Sequence, residues 1–196
     1  MRRLVLATLI LGSCAHPKGI EPVDQGTSDL AVYRAVLDSM FVPHPSSQIR
    51  QLVVLDSTTP RTPYETLAGF VAEFTELPAV DTATVRNFEQ RTRQRRTLSA
   101  LTHLNLAIPV TLADRKKLIA LPRTDAALYW REFYKVYPES GGLIELSGIG
   151  YNAAGDVAIL AVDDGCGELC GSGMLVVVRR LAGVWKVATI KVTVVS

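Results

Sequence analysis

Four β-rich runs near the end of the chain constrain its fold more than any other feature. From Gly141 onward, apolar and β-branched residues fill the segments 143–151, 157–162, 174–181 and 184–195. The joints between these runs are tight and rich in Gly, Ala and Asn, or carry the Gly- and Cys-rich stretch 163–173. Strands joined this closely pair antiparallel, since a parallel connection needs a crossover of about a dozen residues or more. The sequence therefore predicts a C-terminal antiparallel four-stranded meander.

Helical patterns occupy most of the chain before the meander. Apolar residues recur at helical spacing in segments 28–41, 64–74 and 124–137, and more weakly in 81–95. The short apolar run at 51–55 is typical of a buried strand, which the sheet could add to its four, and residues 104–110 are expected to be extended. Helices first and strands last predict an α+β fold, with the N-terminal helices packed on the meander. We expect residues 28–196 to form a single globular domain.

The first fourteen residues have the layout of a targeting segment. Arg2 and Arg3 precede the apolar run 4–11, which is far shorter than the roughly 20 residues of a membrane span. The next residues, Leu11-Gly12-Ser13-Cys14, resemble the bacterial lipobox, in which the cysteine thiol is diacylated before cleavage. This resemblance to bacterial lipoproteins implies a signal peptide at 1–13 and lipid attachment at Cys14. An ordinary signal peptide that leaves Cys14 unmodified is the alternative.

Lipid attachment sets the expected location and partners. Segment 14–27 contains Pro and Gly without an apolar period, so we expect a flexible tether. Two or more acyl chains hold a protein stably at a membrane. Ala15 stands where enteric lipoproteins retained at the inner membrane have Asp, which favours the periplasmic face of the outer membrane of a Gram-negative bacterium. The expected partners are this membrane, reached through the lipid, and an envelope protein or lipid headgroups.

The charge of the chain argues against a nucleic-acid partner. Residues 1–13 carry Arg2 and Arg3 and no acidic residue, so the mature chain would have equal numbers of basic and acidic side chains. A local basic cluster at 86–96 could instead meet phosphates of lipid headgroups, or form an ordinary solvated helix face.

Cys166 and Cys170 lie in the loop between the second and third predicted strands of the meander. Export to an oxidising compartment favours a disulfide between them. A ring of about five residues would contribute roughly 2 kcal/mol by the chain-entropy model. A redox-active dithiol and a metal site are the alternatives.

A stripe of aromatic residues marks one face of the predicted helix 124–137. Trp130, Phe133, Tyr134 and Tyr137 recur at helical spacing, which usually places such side chains in a core. The same stripe could line a ligand cleft.

The segment 148–153, Gly-Ile-Gly-Tyr-Asn-Ala, formally satisfies the dinucleotide-binding pattern G-x-G-x-x-A. That pattern needs a helix to begin at the pyrophosphate, whereas a turn and a strand follow here. We expect no nucleotide, and no other cofactor, metal or catalytic residue is predicted.

Residues 147–152, the two cysteines and the segment Gly183–Val187 resemble the C-terminal region of uncharacterised secreted and lipoprotein-type bacterial proteins. The resemblance covers about the last third of the chain and implies a recurrent domain without an activity.

Two functions remain open from the sequence. The first is a lipid-anchored, non-enzymatic binding or interaction module of the cell envelope. The alternative is an envelope enzyme: a hydrolase with a cleft between helix 124–137 and the sheet, or a thiol-active protein that uses Cys166 and Cys170. A hydrolase would need a concave pocket that holds two or more titratable side chains.

Overall fold

The computed structural model describes residues 25–42, 47–60 and 80–196 of the chain. These residues contain seven strands: β1 Gln51–Leu55, β2 Val110–Ala113, β3 Ser140–Leu146, β4 Gly150–Tyr151, β5 Val157–Gly167, β6 Cys170–Leu181 and β7 Val184–Val195. They form one sheet in the order β2-β1-β3-β5-β6-β7, with the short strand β4 beside β5.

The sheet is mixed. Strands β3, β5, β6 and β7 pair antiparallel in sequence, while β1 pairs in parallel with both of its neighbours, β2 and β3. Parallel pairing is allowed here because long stretches of chain, with helices among them, separate β1 from both β2 and β3. Strand β1 therefore lies inside the sheet rather than at its margin. A strand covered on both faces needs apolar residues throughout, which explains its continuous run Leu-Val-Val-Leu.

Four α-helices and one 3-10 helix accompany this sheet in the described residues. The α-helices are α1 Gln25–Met40, α2 Thr82–Thr92, α3 Arg115–Ile119 and α4 Ala126–Val136, and the 3-10 helix is Ser99–His103. Asp81, Asp114 and Asp125 cap α2, α3 and α4, each carboxylate accepting hydrogen bonds from backbone amides of the first turn. No helix among the described residues has the length and apolar character that a membrane crossing requires.

The alternation of side chains along the strands separates two cores. On one face, α1 packs Val32, Val36 and Leu37 against a cluster that includes Leu160 and Val176. The opposite face carries two separate helices. Helix α2 covers the β5–β6 side through Phe88, and α4 covers the β1–β3 side through Phe133. On this second face, β3 and β5 lie beside α4.

The α+β class is confirmed, and several predicted boundaries are corrected. Helix α1 begins at Gln25 rather than Ser28, so residues 25–27 belong to a helix and not to the tether. The predicted run 143–151 is divided into β3 and β4, because the Ser147 hydroxyl bonds to backbone between them. The predicted joint 163–173 is mostly strand, since its glycines pair in register across β5 and β6.

Two further differences concern short elements. The predicted extended segment 104–110 precedes the strand actually formed, β2 at Val110–Ala113. Helix α3 has five residues, too few to show a helical period in the sequence. The predicted helix 64–74 and Cys14 lie outside the described residues.

Candidate functional site

A groove lies between α4 and the second face of the sheet. It has a volume of about 340 Å³. Its lining residues come from the start of α4, from the segment before it, and from strands β3 and β5: Arg123, Ala126, Tyr129, Trp130, Leu143, Glu145, Asp163, Asp164 and Gly165. We call this feature the α4 groove.

Two carboxylates stand next to each other on the floor of the α4 groove. Glu145 of β3 and Asp163 of β5 are directly opposite in the antiparallel ladder, so both project to the same face. Side chains in such a pair have Cβ atoms roughly 4.5–5.5 Å apart, and like charges there are destabilising. Both residues are half-buried.

Two glycines leave space around these carboxylates. A Cβ atom on Gly165 would lie 3.0 Å from Cζ2 of Trp130, so the indole ring packs directly on the Gly165 backbone. A Cβ atom on Gly173, which is opposite Asp163 in the ladder, would lie 3.0 Å from Asp163 Oδ1. Larger side chains at these positions would displace the ring and the carboxylate.

The wall of the α4 groove is aromatic. Tyr129 and Trp130 are half-buried and meet edge to face, with ring centroids 5.4 Å apart. Burial raises the pKa of Tyr129, and the nearby Glu145 carboxylate raises it further. Phe133 and Tyr137, one turn and two turns further along α4, are buried in the core. The aromatic stripe is therefore divided between the wall of the α4 groove and the core.

A polar network holds Glu145 at the inner end of the α4 groove. The Thr59 hydroxyl donates to Glu145 Oε2 at 2.7 Å. Arg115 in turn donates to Thr59 Oγ1 at 3.2 Å and to Ser57 Oγ at 3.4 Å. These residues meet because the parallel strands β1, β2 and β3 end at the same edge of the sheet. A recess of about 70 Å³ beside this network shares Arg123, Tyr129, Leu143 and Glu145 with the α4 groove.

The cysteine pair lies at the tip of the β5–β6 hairpin, next to the α4 groove. The sulfur atoms of Cys166 and Cys170 are at disulfide distance, and their Cα atoms are 5.1 Å apart. The Tyr134 hydroxyl of α4 donates to the carbonyl of Cys166 at 2.9 Å. Because Asp163, Asp164 and Gly165 directly precede Cys166, this contact ties one side of the groove to the helix that forms the other.

The basic cluster at 86–96 is divided between the interior and the surface. Arg91 is buried and forms an ion pair with Asp29 of α1, with Nη2 and Oδ2 2.6 Å apart. The Tyr151 hydroxyl donates to the other oxygen of Asp29 at 2.8 Å. Arg86, Arg93, Arg95 and Arg96 are exposed. Four of the five arginines can therefore face a charged surface, and the fifth connects α1 to α2.

The glycines of the dinucleotide-like pattern have a packing role. A Cβ atom on Gly150 would overlap Phe88 Cβ, and one on Gly148 would lie 2.7 Å from the carbonyl oxygen of Arg91. The pattern therefore allows α2 to approach β4 closely. Among the described residues, no group of three or more His, Cys, Asp or Glu side chains is placed to hold a metal ion.

Sequence reasoning missed the charged lining of the α4 groove. Glu145 lies within the apolar run Leu143–Leu146, and Asp163 directly follows the buried part of β5. A charged residue at an inward-facing position of a strand can indicate a functional site. The pairing of β3 with β5 was needed to show that Glu145 and Asp163 are neighbours. No protein-family model matches this chain, and searches of curated proteins and of solved structures found no similar protein.

Proposed function

We propose that this chain is a lipid-anchored protein of the bacterial cell envelope that acts as a binding module, with the α4 groove as its ligand site. The observation that carries the proposal is the α4 groove itself. Ligand sites are concave, are usually about 300–1,000 Å³, and combine apolar or aromatic walls with a few convergent polar groups. Trp130 and Tyr129 supply such a wall, and Glu145 and Asp163 supply the polar groups.

The two tryptophans of the chain provide a matched test of the binding site. Trp130 lines the α4 groove, whereas Trp185 is buried in the core on the opposite face. We expect ligands from a panel of cationic, anionic and neutral small molecules to change the emission of the mature protein and of Trp185→Phe, but not that of Trp130→Phe. A panel without any binder, or an equal response from both variants, would contradict the proposed site.

The lipid anchor rests on the lipobox-like residues Leu11–Cys14 and has its own test. Protein extracted from the membranes of the expressing bacterium should have the mass of a chain that begins at a diacylated Cys14. Cys14→Ser should lose this mass and leave the membrane fraction. Recovery of an unmodified Cys14 in the wild-type protein would refute the anchor without affecting the binding site.

A hydrolase is the second candidate, and one observation favours it. The cleft between the aromatic helix and the sheet holds two neighbouring carboxylates, which is the arrangement that glycoside hydrolases use for acid and nucleophile or base. Hydrolysis of glycosidic, ester or amide substrates by the wild-type protein, lost in both Glu145→Gln and Asp163→Asn, would support this activity. Binding without turnover would favour the binding module.

A further inference from the structure

We propose that the recess next to the α4 groove binds an anionic group of the ligand, a carboxylate or a phosphate. We call this recess, of about 70 Å³, the inner recess; its polar lining is Arg115, Arg123, Tyr129 and Glu145. The inference rests on the proposed function, because the inner recess shares Arg123, Tyr129 and Glu145 with the α4 groove. An acidic end of a ligand in the α4 groove would enter the inner recess.

Positive charge prevails in the lining of the inner recess. Its charged groups are the guanidiniums of Arg115 and Arg123 and the carboxylate of Glu145. In the part of the chain that the structure describes, neither guanidinium forms an ion pair. The planar fork of a guanidinium matches the oxygens of a carboxylate or a phosphate, so two unpaired forks at one cavity favour such a ligand.

Hydroxyl groups, rather than a countercharge, hold Arg115 in place. Its Nε donates to Ser57 Oγ at 3.4 Å and its Nη2 to Thr59 Oγ1 at 3.2 Å. The hydrogen bonds of the Asp56 carboxylate come from the Ser57 hydroxyl at 2.9 Å and from the backbone amide of Arg115 at 3.4 Å. These contacts fix the direction of the guanidinium and leave its positive charge available to an anion.

Tyr129 adds a neutral hydrogen-bond donor. Burial raises the pKa of its hydroxyl, and the Glu145 carboxylate raises it further, whereas Arg123 lowers it. Both charged groups therefore lie close enough to act on this hydroxyl. A phenol with a raised pKa stays protonated at neutral pH, so it can donate to an anion beside Arg123.

The position of the inner recess in the sheet is one where ligands bind. Strands β1 and β3 are parallel neighbours, and the chain leaves β1 towards β2 on one side and leaves β3 towards β5 on the other. In α/β sheets, ligands bind outside the carboxyl ends of the strands at such a point. Leu55, the last residue of β1, and Glu145, the last but one of β3, both line the inner recess. The topology thus supports a ligand here independently of the charges.

Glu145 opposes an anion, and its effect can be measured. The Thr59 hydroxyl lies between Arg115 and Glu145, since it accepts from Arg115 at 3.2 Å and donates to Glu145 Oε2 at 2.7 Å. The two charged groups therefore do not pair directly. Two positive charges outweigh one negative charge at the inner recess, and removal of the Glu145 charge should strengthen anion binding.

Calorimetric titration with three probes that share a phenyl tail tests the inference. The probes are hydrocinnamate, its neutral amide hydrocinnamide, and phenethyl phosphate. We expect the wild-type protein to bind hydrocinnamate at least about tenfold more tightly than hydrocinnamide, because hydrogen bonds between charged groups are the strong ones. This preference should weaken as salt is added.

Matched variants locate the effect in the inner recess. Arg115→Gln and Arg123→Gln should each reduce the preference for hydrocinnamate by about fivefold or more. Glu145→Gln should instead tighten hydrocinnamate binding by about twofold or more and leave hydrocinnamide unchanged. Arg131→Gln removes an exposed guanidinium of α4 that lines neither cavity, and should leave the preference unchanged. Thermal unfolding shows that each variant is folded; Arg123 is exposed, so its replacement keeps the test valid if Arg115→Gln does not fold.

The outcomes separate this inference from the proposed function. Equal affinity for hydrocinnamate and hydrocinnamide, or an unchanged preference in Arg123→Gln, would overturn the anion site while the binding module stands on other ligands of the α4 groove. Weaker hydrocinnamate binding by Glu145→Gln would also contradict it. The failure of every ligand class would overturn both. Tighter binding of phenethyl phosphate than of hydrocinnamate would identify a phosphate as the group bound, and the reverse would identify a carboxylate.

Discussion

At the scale of single residues, glycines determine how closely the helices pack on the sheet. Gly150 and Gly148 let α2 approach the sheet, and Gly165 lets Trp130 lie on β5. The same β5 strand presents Asp163 opposite Glu145 of β3. The α4 groove is thus defined by a ring, a glycine and two carboxylates.

Replacement of Gly165 by alanine should fill part of the α4 groove. The new Cβ would lie 3.0 Å from Trp130 Cζ2, so the ring must move. Overpacking of this kind costs about 1 kcal/mol or more in the free energy of unfolding. We expect Gly165→Ala to lose this amount in urea denaturation and to bind groove ligands more weakly. Gly167→Ala is the control, since its Cβ would meet Cys170 at an ordinary 3.4 Å; an equal response from both variants would contradict the packing argument.

The partly buried carboxyl group of Asp29 should give the protein a pH-dependent stability. Burial raises the pKa of Asp29 above its ordinary value of 3.8, although Tyr151, Arg91 and Arg96 act in the opposite direction. Between the pKa of Asp29 in the unfolded chain and its higher pKa in the folded protein, the folded protein binds a proton that the unfolded chain has lost. The free energy of unfolding therefore decreases as pH rises through this range.

Asp29→Asn removes this titration while keeping a polar side chain at the same place. The free energy of unfolding of the wild type, relative to Asp29→Asn, should decrease as pH rises from about 3.8. Urea denaturation at a series of pH values measures the difference. Asp38→Asn, exposed on the same helix, should show no comparable trend. A difference that grows with pH would mean that the carboxylate is stabilised rather than penalised by its surroundings.

At the scale of elements, α4 and the β5–β6 hairpin form two sides of the α4 groove. Helix α4 is fixed at its start by Asp125, whose carboxylate accepts from the amide of Leu128 at 3.0 Å. The hairpin is fixed at its tip by the cysteine pair and by Tyr134. The width of the α4 groove between them therefore depends on contacts outside the groove.

Removal of both cysteines should loosen the tip of the hairpin. The chain-entropy model assigns about 2 kcal/mol to a ring of this size. We expect the Cys166→Ser, Cys170→Ser double variant to lose this amount in denaturation under non-reducing conditions, and to bind groove ligands less tightly. Addition of reductant to the wild-type protein should reproduce both effects. Unchanged stability in the double variant would show that the pair is not bonded in the purified protein.

The hydrogen bond from Tyr134 to Cys166 should be coupled to the cysteine pair. Tyr134→Phe removes a donor at 2.9 Å and should cost about 1 kcal/mol. In the Cys166→Ser, Cys170→Ser variant the hairpin tip has less fixed geometry, so the same change should cost less. A double-mutant cycle measures this coupling. Additive costs would mean that α4 and the disulfide stabilise the hairpin independently.

At the scale of the whole molecule, local patterns predicted elements better than they predicted pairings. The runs at 51–55, 81–95, 124–137 and 184–195 were recognisable because apolar period and turn residues are local properties. The parallel pairing of β1 with β2 and β3 could not be recognised in the sequence, because it joins segments more than fifty residues apart. The α4 groove depends on the β3–β5 register, so its residues could be named only from the structure.

The placement of the groove follows from this architecture. Helices α2 and α4 share one face of the mixed sheet, α2 packing on the β5–β6 side and α4 on the β1–β3 side. The strands at the margin of α4 are β3 and β5, which supply Leu143, Glu145, Asp163 and Gly165. The α4 groove is therefore formed by several elements of the fold and not by one sequence motif.

Chemical-shift mapping tests the central claim, that the α4 groove is the ligand site, most directly. Spectra of the ¹⁵N-labelled mature protein would be recorded with each binder from the cationic, anionic and neutral panel. The account predicts that the largest changes fall on the Trp130 indole N–H and on the amides of Leu143, Glu145 and Gly165. Changes centred on β7 or α1, with the groove signals unmoved, would contradict it.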